Sequence, residues 1–311
     1  MQNINHKFSK EIGYTSIKVQ ELIKNFPDEK FENTTKEQIY KEAKYCHKAQ
    51  NGIIRISKYV FNNIKNIKKQ CLSKQTLEIS TIDTGYDYGL AFTRDPSIDS
   101  KIWHVNFASE TAFSEWGSDS YSQEAAMIME MPLLHKASLF LYNNIQPNLR
   151  FRNEDNIWFP SPILFEGIPQ WLSIYTNKKQ TITWDKKNNI ISMMSPFGGD
   201  DYYTITEIFY LFTTLFAGFG GIIKRGKKDK INKTEVHTGN WGCGNMRNNK
   251  ELIYLAQIYV ASVLGIDKIV FHCVDTTLME NAIQKWHSIP NDISISDAIK
   301  IFLDFGFKWR E

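Results

Sequence analysis

The chain has 311 residues, of which 42% are hydrophobic and 14% aromatic, enough to bury one large core or two modest ones. The net charge is only +3, which argues against a basic coat for nucleic acid, so we expect no nucleic-acid partner. The four cysteines are far apart and include no C-x-x-C pair. This spacing argues against a disulfide framework or a cysteine-rich zinc site, and it favours a reducing compartment.

The first 75 residues predict a basic helical module. Residues 16–26 and 35–70 carry apolar side chains at three- and four-residue spacings, flanked by lysines. The lysine-rich faces are either solvated surface or a docking surface for an acidic partner.

Residues 76–311 predict a second domain of the α/β class. The strand-like runs TLEISTI (76–82), IWHVNFA (102–108) and KIVFHCV (268–274) alternate with helical segments at 122–144, 204–216 and 250–265. Residues 185–203 lack a clear period, so we expect them to form an excursion over the surface.

The longest apolar stretch, residues 208–223, is shorter than the roughly 20 residues that cross a bilayer. It predicts a buried helix that runs into a glycine-rich turn. Because the N-terminus also has no hydrophobic signal region, we expect neither a membrane span nor a leader.

Residues 239–245, GNWGCGN, form the first candidate site. Three glycines let the backbone turn tightly and approach a ligand closely. The next helix starts near Asn248 or Asn249, so its free N–H groups could face a phosphate. The alternative is an ordinary tight turn.

Residues 105–124, VNFASETAFSEWGSDSYSQE, form the second candidate site. They lead from a strand into a helix and hold four carboxylates: Glu110, Glu115, Asp119 and Glu124. Paired carboxylates assist the leaving group or activate water when a glycosyl bond breaks. The alternative is an exposed acidic loop before a helix that favours Glu and Asp in its first turn.

These segments resemble the blocks of the poly(ADP-ribose) glycohydrolase family. Residues 105–132 match its V-D-F-A-N, Gly-rich stretch and Q-E-E without a gap at Val105, Phe107, Ala108, Gln123, Glu124 and Pro132. Residues 238–244 are identical to its T-G-N-W-G-C-G loop. Residues 271–279, FHCVDTTLM, are similar to its F-x-F-G-D-x-x-L-M.

The resemblance implies a macrodomain, a three-layer α/β/α sandwich with a mixed sheet that binds ADP-ribose at the strand ends, here preceded by the helical accessory module. It places Glu124 near the ribose hydroxyls and the 242–244 backbone around the pyrophosphate. Asp83, in a T-I-D that resembles the family's T-I-E, would meet the adenine amino group. Trp171 and Tyr175 would flank the adenosine or serve as core aromatics. The full set of ADP-ribose contacts implied is Asp83, Asn106, Ser109, Gln123, Trp171, Tyr175, Gly242, Cys243, Gly244 and Asn245.

The sequence also departs from the family pattern. The second Glu of Q-E-E, the family's proton donor, is Ala125, which cannot transfer a proton. The Gly-Gly-Gly that encloses the diphosphate is Phe113-Ser114-Glu115, and we expect bulky Phe113 and charged Glu115 to reshape that pocket. The Asp of V-D-F-A-N is Asn106, its Asn is Ser109, and the adenine-stacking Phe is Cys273.

Two functions follow from this pattern. The first is an ADP-ribosyl hydrolase of altered specificity that uses Asp119, Glu115 and Glu124 on a protein side chain such as arginine. A branch of bacterial effectors that act on ADP-ribosylated ubiquitin shows a similar loss of the catalytic Glu. That resemblance implies ubiquitin as partner, and a cytoplasmic location or one in the cytosol of a host cell. The second is a degenerate reader that binds ADP-ribose without cleaving it. Either version is expected to act as a monomer without cofactor or metal.

Overall fold

The computed structural model describes residues 8–26, 34–46, 51–62, 71–82, 100–119, 122–152, 157–175, 178–181 and 187–310. Its strands are β1 (Ser9–Lys18), β2 (Ile53–Phe61), β3 (Cys71–Leu72), β4 (Glu78–Ile82), β5 (Ser100–Phe107), β6 (Arg150–Arg152), β7 (Trp158–Pro160), β8 (Ile163–Pro169), β9 (Leu172–Tyr175), β10 (Lys178–Thr181), β11 (Lys187–Met193), β12 (Lys233–Thr238), β13 (Lys268–His272) and β14 (Ile293–Ser294). Its helices are α1 (Val19–Asn25), α2 (Thr34–Cys46), α3 (Gln123–Glu130), α4 (Leu133–Tyr142), α5 (Ile205–Lys228), α6 (Lys250–Leu264), α7 (Thr276–Ser288) and α8 (Ile295–Asp304).

Eight strands form one mixed sheet in the order β1-β2-β8-β11-β5-β12-β13-β4. The five strands from β11 to β4 run parallel to one another. The strands β1, β2 and β8 join them through antiparallel pairs. The predicted strands at 76–82, 102–108 and 268–274 are confirmed as β4, β5 and β13. Strands β5 and β13 are covered on both faces, as parallel strands are in most folds, and this accounts for their apolar sequences.

Side chains on the two faces of the sheet pack into two separate hydrophobic cores. Trp103 and Val105 of β5 and Ile191 of β11 pack on one face with α5, α6 and α8. Ile163 and Phe165 of β8 pack on the other face with α1, α3 and α4. Helices on both sides of a mixed sheet make three layers, so the predicted α/β sandwich is confirmed.

The expectation of a separate helical module over residues 1–75 is wrong for two stretches. Residues 9–18 and 53–61 are strands β1 and β2, hydrogen-bonded to each other and to β8 of the main sheet. Within β2, Ile54 and Ile56 enter one core while Tyr59 and Phe61 enter the other. This two-sided burial gives apolar spacings that look helical, although the β-branched isoleucines favour a strand.

Residues 185–203 also differ from the expectation of a surface excursion. They contain β11, which lies between β8 and β5 in the middle of the sheet. The strand begins with polar residues, so its sequence does not resemble a buried strand. Asn188 and Asn189 are accommodated there because they make hydrogen bonds inside the fold. Asn188 donates to Gln170 at 3.3 Å, and Asn189 donates to the carbonyl of Ile102 at 3.0 Å.

The apolar stretch 208–223 lies within helix α5, which does not end at its glycines. Thr204 caps the helix in a reciprocal bond with Glu207, and the helix continues to Lys228. By length and composition α5 could cross a membrane, but 72% of its most apolar window is buried inside the fold. Its glycines face the sheet, so they permit close packing and do not form the turn we expected.

Helix 122–144 is in fact two helices. Helix α3 ends at Glu130, and Pro132 stands at the N-cap of α4. The residue before a proline is pushed out of the helical region, which accounts for the break at Met131. Helix α3 therefore starts at the carboxyl side of β5 and brings Gln123 and Glu124 back against that strand.

Candidate functional site

The candidate site lies at the carboxyl ends of β5 and β12, two neighbouring parallel strands. After β5 the chain crosses to α3 on one face of the sheet, and after β12 it crosses to α6 on the opposite face. Such a reversal opens a crevice outside the strand ends, where ligands bind in α/β sheets. The two segments singled out in the sequence stand at these strand ends: residues 105–119 at the end of β5 and residues 239–245 after β12.

Gln123 occupies the gap where β5 and β12 separate. The paired register of the two strands ends at His104 and His237. Beyond that point the Gln123 side chain accepts from the Phe107 N–H at 2.9 Å and donates to the Val105 carbonyl at 3.0 Å. The amide therefore replaces a strand neighbour and fixes the start of α3, and both of its polar ends are engaged by the protein.

Two glycines of the 239–245 loop are required by the packing around them. A Cβ at Gly239 would lie 2.7 Å from the His272 carbonyl oxygen. Gly242 has a φ of +73°, and a Cβ there would lie 2.1 Å from Ser195 Oγ. Asn248 ties the loop down by donating to the carbonyls of Gly242 and Pro196 at 3.0 and 2.8 Å.

Gly244 is different, because no atom lies within 4 Å of where its Cβ would be. The backbone N–H groups of Gly242, Gly244 and Asn245 donate to no acceptor in the part of the chain that the structure describes. Unpaired backbone donors in a tight loop make an anion-binding concavity. The geometry of this loop therefore suits the phosphate cradle that the sequence predicts.

Helix α6 begins where the sequence predicts, with Asn249 as its N-cap and the Leu252 N–H bonded to that side chain. The Asn249 N–H donates to the hydroxyl of Tyr203 at 2.9 Å. The protein thus already uses part of the helix N-terminus that we expected to face the phosphate. The loop adds the unpaired N–H groups of Gly242, Gly244 and Asn245 to those of the first turn of the helix.

Cys243 is a neutral thiol in this loop. Burial raises its pKa to about 12, although nearby Lys250 acts in the opposite direction. The thiolate is the nucleophilic form of cysteine, so a raised pKa argues against covalent chemistry. This agrees with its interpretation as a small residue that lines the pocket.

The loop 109–119 covers the end of β5 from the side of α3. Phe113 has a φ of +59° and turns its side chain inward, where it is fully buried with its ring 5.0 Å from that of Phe165. We expected this bulky residue to reshape the ligand pocket, but it fills the core instead. Ser114 and Glu115 remain at the surface of the loop.

Glu124 and Asn106 form a buried pair beneath the loop. Glu124 Oε1 accepts from Asn106 Nδ2 and from the Phe113 N–H, both at 2.8 Å. Burial raises the pKa of Glu124 to about 7; these hydrogen bonds lower it, and the charge of Glu115 raises it further. Glu124 is only 1% exposed, so its carboxyl group holds the loop rather than lining an open surface.

The other two candidate acids lie on the loop itself and share a cation that the sequence did not reveal. Asp119 is exposed and Glu115 half-buried. Both carboxylates interact with the ammonium group of Lys36 on α2, which is itself buried. Lys36 had no distinguishing feature in a lysine-rich sequence, so only the fold could identify it.

The remaining predicted contacts fall in different places. Ser109 lies at the loop, where its hydroxyl is 3.0 Å from that of Ser114. Trp171 is 2% exposed and stacks on Tyr40. It therefore occupies a core position, one of the two alternatives that the sequence offered for this residue. Tyr175 ends β9, and Asp83 lies just outside the described residues. Ile82, its neighbour, accepts from the N–H of Cys273, so the predicted adenine side adjoins the end of β13.

Three histidines form a buried row across β5, β12 and β13. His237 lies 2.9 Å from His272 and 2.7 Å from Glu235, measured between polar atoms, and its ring is 4.9 Å from that of His104. Burial, and then the neighbouring His237, lowers the pKa of His272 to about 4. Within the described ranges no group of His, Cys, Asp and Glu is arranged to hold a metal ion.

The mixed sheet between two layers of helices is the architecture of a macro domain fold. In agreement, residues 168–281 match the family described as poly(ADP-ribose) glycohydrolase, macro domain fold. The match runs from the end of β8 to α7, so it includes the 239–245 loop but not the loop 109–119. No curated protein matches the sequence.

Solved structures show a weaker similarity. The poly(ADP-ribose) glycohydrolase of Thermomonospora curvata is 11% identical, covers 80% of this chain and 100% of its own, and has a TM-score of 0.46. The enzyme of Deinococcus radiodurans in complex with ADP-ribose is 13% identical, and the match has a TM-score of 0.41. That match covers 68% of this chain and 86% of the Deinococcus chain. Similarity at this level says nothing about the substrate or the catalytic residues of this chain.

Proposed function

We propose that this protein is an ADP-ribosyl hydrolase that removes ADP-ribose from a modified protein side chain. The observation that carries the proposal is that two loops follow the carboxyl ends of neighbouring parallel strands. The 239–245 loop, after β12, offers unpaired N–H groups for a pyrophosphate, and the loop 109–119, after β5, carries Glu115 and Asp119. Carboxylates at a scissile glycosyl bond activate water or assist the leaving group, and a bound pyrophosphate would hold the ribose in place for them.

The charge of the loop favours an arginine linkage over a polymer of ADP-ribose. A polymer would bring further phosphates towards Glu115 and Asp119, which would repel them, whereas a guanidinium group would be attracted. Arginine also suits the loss of the family's proton donor at Ala125. An ADP-ribosylated guanidinium is already cationic, so it can leave as neutral guanidine, whereas a departing ribose hydroxyl needs a proton.

The proposed reaction is a hydrolysis. A carboxylate of the loop takes a proton from water, the water oxygen bonds to the anomeric carbon, and the bond from that carbon to the guanidine nitrogen breaks. The released guanidine then takes up the proton. Asp119 and Glu115 are the acids with access to solvent, while Glu124 holds the loop from below.

Ubiquitin carrying ADP-ribose on arginine is the substrate to test first, given the resemblance to effectors that act on it. Action on host ubiquitin would place the protein in the cytosol of a host cell. The experiment compares release of ADP-ribose from this substrate with release from poly(ADP-ribose). We expect release from the first and little from the second; release from the polymer alone would contradict the assignment of the linkage.

Replacing the loop acids tests their role. Asp119→Ala or Glu115→Ala should lower kcat by about 10²- to 10⁴-fold, the usual contribution of a general acid or base. Glu280→Ala, an exposed carboxylate on α7, is the matched control and should keep full activity. If both loop variants remained as active as the control, these residues would not be catalytic.

A reader of ADP-ribose is the second candidate, and Ala125 is the observation that favours it. Alanine has no proton to give, and the position is buried against the core. In that case the wild-type protein binds ADP-ribose tightly by calorimetry but releases none from either substrate. That result would replace the hydrolase by the reader.

A further inference from the structure

Helix α2 packs against the acid-bearing loop through a buried lysine. Lys36 Nζ donates to the carbonyl oxygen of Ser118 at 2.5 Å, and the lysine is only 4% exposed. A charged ammonium group is buried at a large cost unless charges or hydrogen bonds compensate for it. The loop supplies compensation through the Ser118 carbonyl and the charges of Glu115 and Asp119.

A second contact joins the same helix to the same loop, one turn further on. The Tyr40 ring meets the Trp116 ring edge-on at 5.2 Å between centroids. Trp116 also stacks on His135 of α4 at 4.8 Å, with the two rings nearly parallel. Tyr40 in turn stacks on Trp171 of the core. The loop is therefore held by a polar and an aromatic contact from α2.

The opposite side of the loop is anchored independently. Glu124 bonds the Phe113 N–H, and Glu110 pairs with Arg150 at 2.8 Å. The Leu149 N–H also donates to the Glu110 carbonyl at 2.8 Å. These contacts fix residues 110–113 to the body of the domain, whereas residues 115–119, which carry the candidate acids, are contacted by α2.

We propose that Lys36 is a positioning residue, through which α2 places the Glu115 and Asp119 carboxylates against the substrate crevice. The inference rests on the proposed hydrolase function for its kinetic consequence but not for its structural one. It gives α2, predicted from the sequence as a solvated or docking surface, a role in organising the site. The charge of Lys36 also keeps two neighbouring carboxylates together, since without it they would repel each other.

The test compares Lys36→Met, which removes the charge at similar volume, with Lys36→Arg and with Lys41→Met. Lys41 lies on the same helix, is exposed and pairs with Glu37 of that helix, so it is the matched control. Lys36→Met should lower kcat about 10- to 100-fold, the effect of a small displacement of reacting groups. Its Kd for ADP-ribose should stay within about threefold of wild type, because the 239–245 loop is untouched.

Lys36→Arg retains the charge and a donor, so it should keep more activity than Lys36→Met. Equal losses in the two variants, or a kcat for Lys36→Met equal to that of Lys41→Met, would overturn the proposal. If Lys36→Met does not unfold cooperatively, Lys36→Gln, which can still donate to the Ser118 carbonyl, takes its place.

Hydrogen exchange separates this proposal from the proposed function. Amides of residues 114–119 should exchange faster in Lys36→Met than in Lys41→Met, while those of 239–245 should not change. This readout does not require catalysis. If the wild type released no ADP-ribose but the loop responded, the hydrolase assignment would fail and the positioning role of Lys36 would stand; unchanged exchange would refute the positioning role.

Discussion

The contact between Asn106 and Glu124 explains a departure from the family pattern at the residue scale. An Asp at position 106 would place a second carboxylate within hydrogen-bond distance of the buried Glu124, and two such groups cannot both ionise easily. Asparagine instead donates to Glu124 and to Ser192. Asn106 therefore stabilises Glu124 in a position where its carboxyl group holds the loop at Phe113. This structural role of Glu124 does not depend on a second glutamate at position 125, where this chain has Ala125.

The pKa of Glu124 predicts a specific pH dependence of stability. Its pKa is about 7 in the folded protein and 4.5 as a free side chain. Between these values the unfolded chain loses the proton while the folded protein keeps it, so stability falls as pH rises through this window. The loss amounts to about 3 kcal/mol.

Glu124→Gln removes this titration but keeps an oxygen to accept from Asn106 and Phe113. The free energy of unfolding of the wild type, relative to this variant, should therefore decrease from pH 4.5 to pH 7. Urea unfolding at several pH values measures it. A difference that does not change with pH would show that Glu124 is not buried as described.

Gly242 and Gly244 offer a matched pair within one loop. A Cβ at Gly242 would clash with Ser195 and require a strained φ, whereas Gly244 has open space. We expect Gly242→Ala to lower the unfolding free energy by about 1–3 kcal/mol. Gly244→Val should leave stability nearly unchanged but weaken ADP-ribose binding, because its side chain would stand where the ligand approaches. Normal binding by a folded Gly244→Val would contradict the cradle.

At the scale of elements, α5 shows why glycines occur inside a long helix. A Cβ at Gly218 would lie 2.6 Å from Met193 Sδ, and one at Gly221 would lie 2.9 Å from the ring of Tyr59. Glycine costs about 1 kcal/mol relative to alanine in a helix, but it lets α5 approach β11 and β2 closely. This spacing supports β11, which leads into the segment 194–197 beside the 239–245 loop.

Two alanine substitutions in α5 should therefore change the free energy of unfolding in opposite directions. Gly221→Ala should destabilise the protein by about 1–3 kcal/mol, because the Tyr59 ring is fully enclosed and cannot move aside. Gly226→Ala lies in the same helix with its nearest neighbour at 3.7 Å, so it should stabilise by up to about 1 kcal/mol. Thermal unfolding of the two variants checks this; equal shifts in Tm would show that helix propensity alone decides.

At the scale of the whole molecule, the sequence predicts three of the five parallel strands, β4, β5 and β13, but not β11 or β12, and it predicts none of the antiparallel strands β1, β2 and β8. Strands β5 and β13 are short apolar runs, a pattern typical of buried strands, and both are mostly buried. Strand β4 lies at the edge of the sheet and is half-buried to exposed, but its β-branched residues still favour a strand. Strand β2 contributes side chains to both cores, so the spacing of its apolar residues resembles that of a helix. Strand β11 begins with asparagines, and Asn189 donates to the neighbouring strand β5. Local patterns could not reveal either, because the partners lie far away in the chain.

The site shows the same division. The motifs identify the two loops and the acids Glu115, Asp119 and Glu124. In the fold, Glu115 and Asp119 interact electrostatically with Lys36, and Glu124 lies buried beneath the same loop. They do not reveal that Phe113 turns into the core or that Lys36 reaches the loop from α2. Both facts depend on packing between segments distant in the sequence, and both bear on how the loop acids are presented.

We infer that the strand ends of this sheet bind ADP-ribose. Calorimetric titration of the wild-type protein with ADP-ribose tests it most directly, with AMP and ribose 5-phosphate titrated in parallel. We predict saturable one-to-one binding of ADP-ribose that is tighter than that of either fragment, because only the whole ligand spans the phosphate loop and both of its flanks. An ADP-ribose titration without saturable heat, or with affinity no better than that of AMP, would contradict the account.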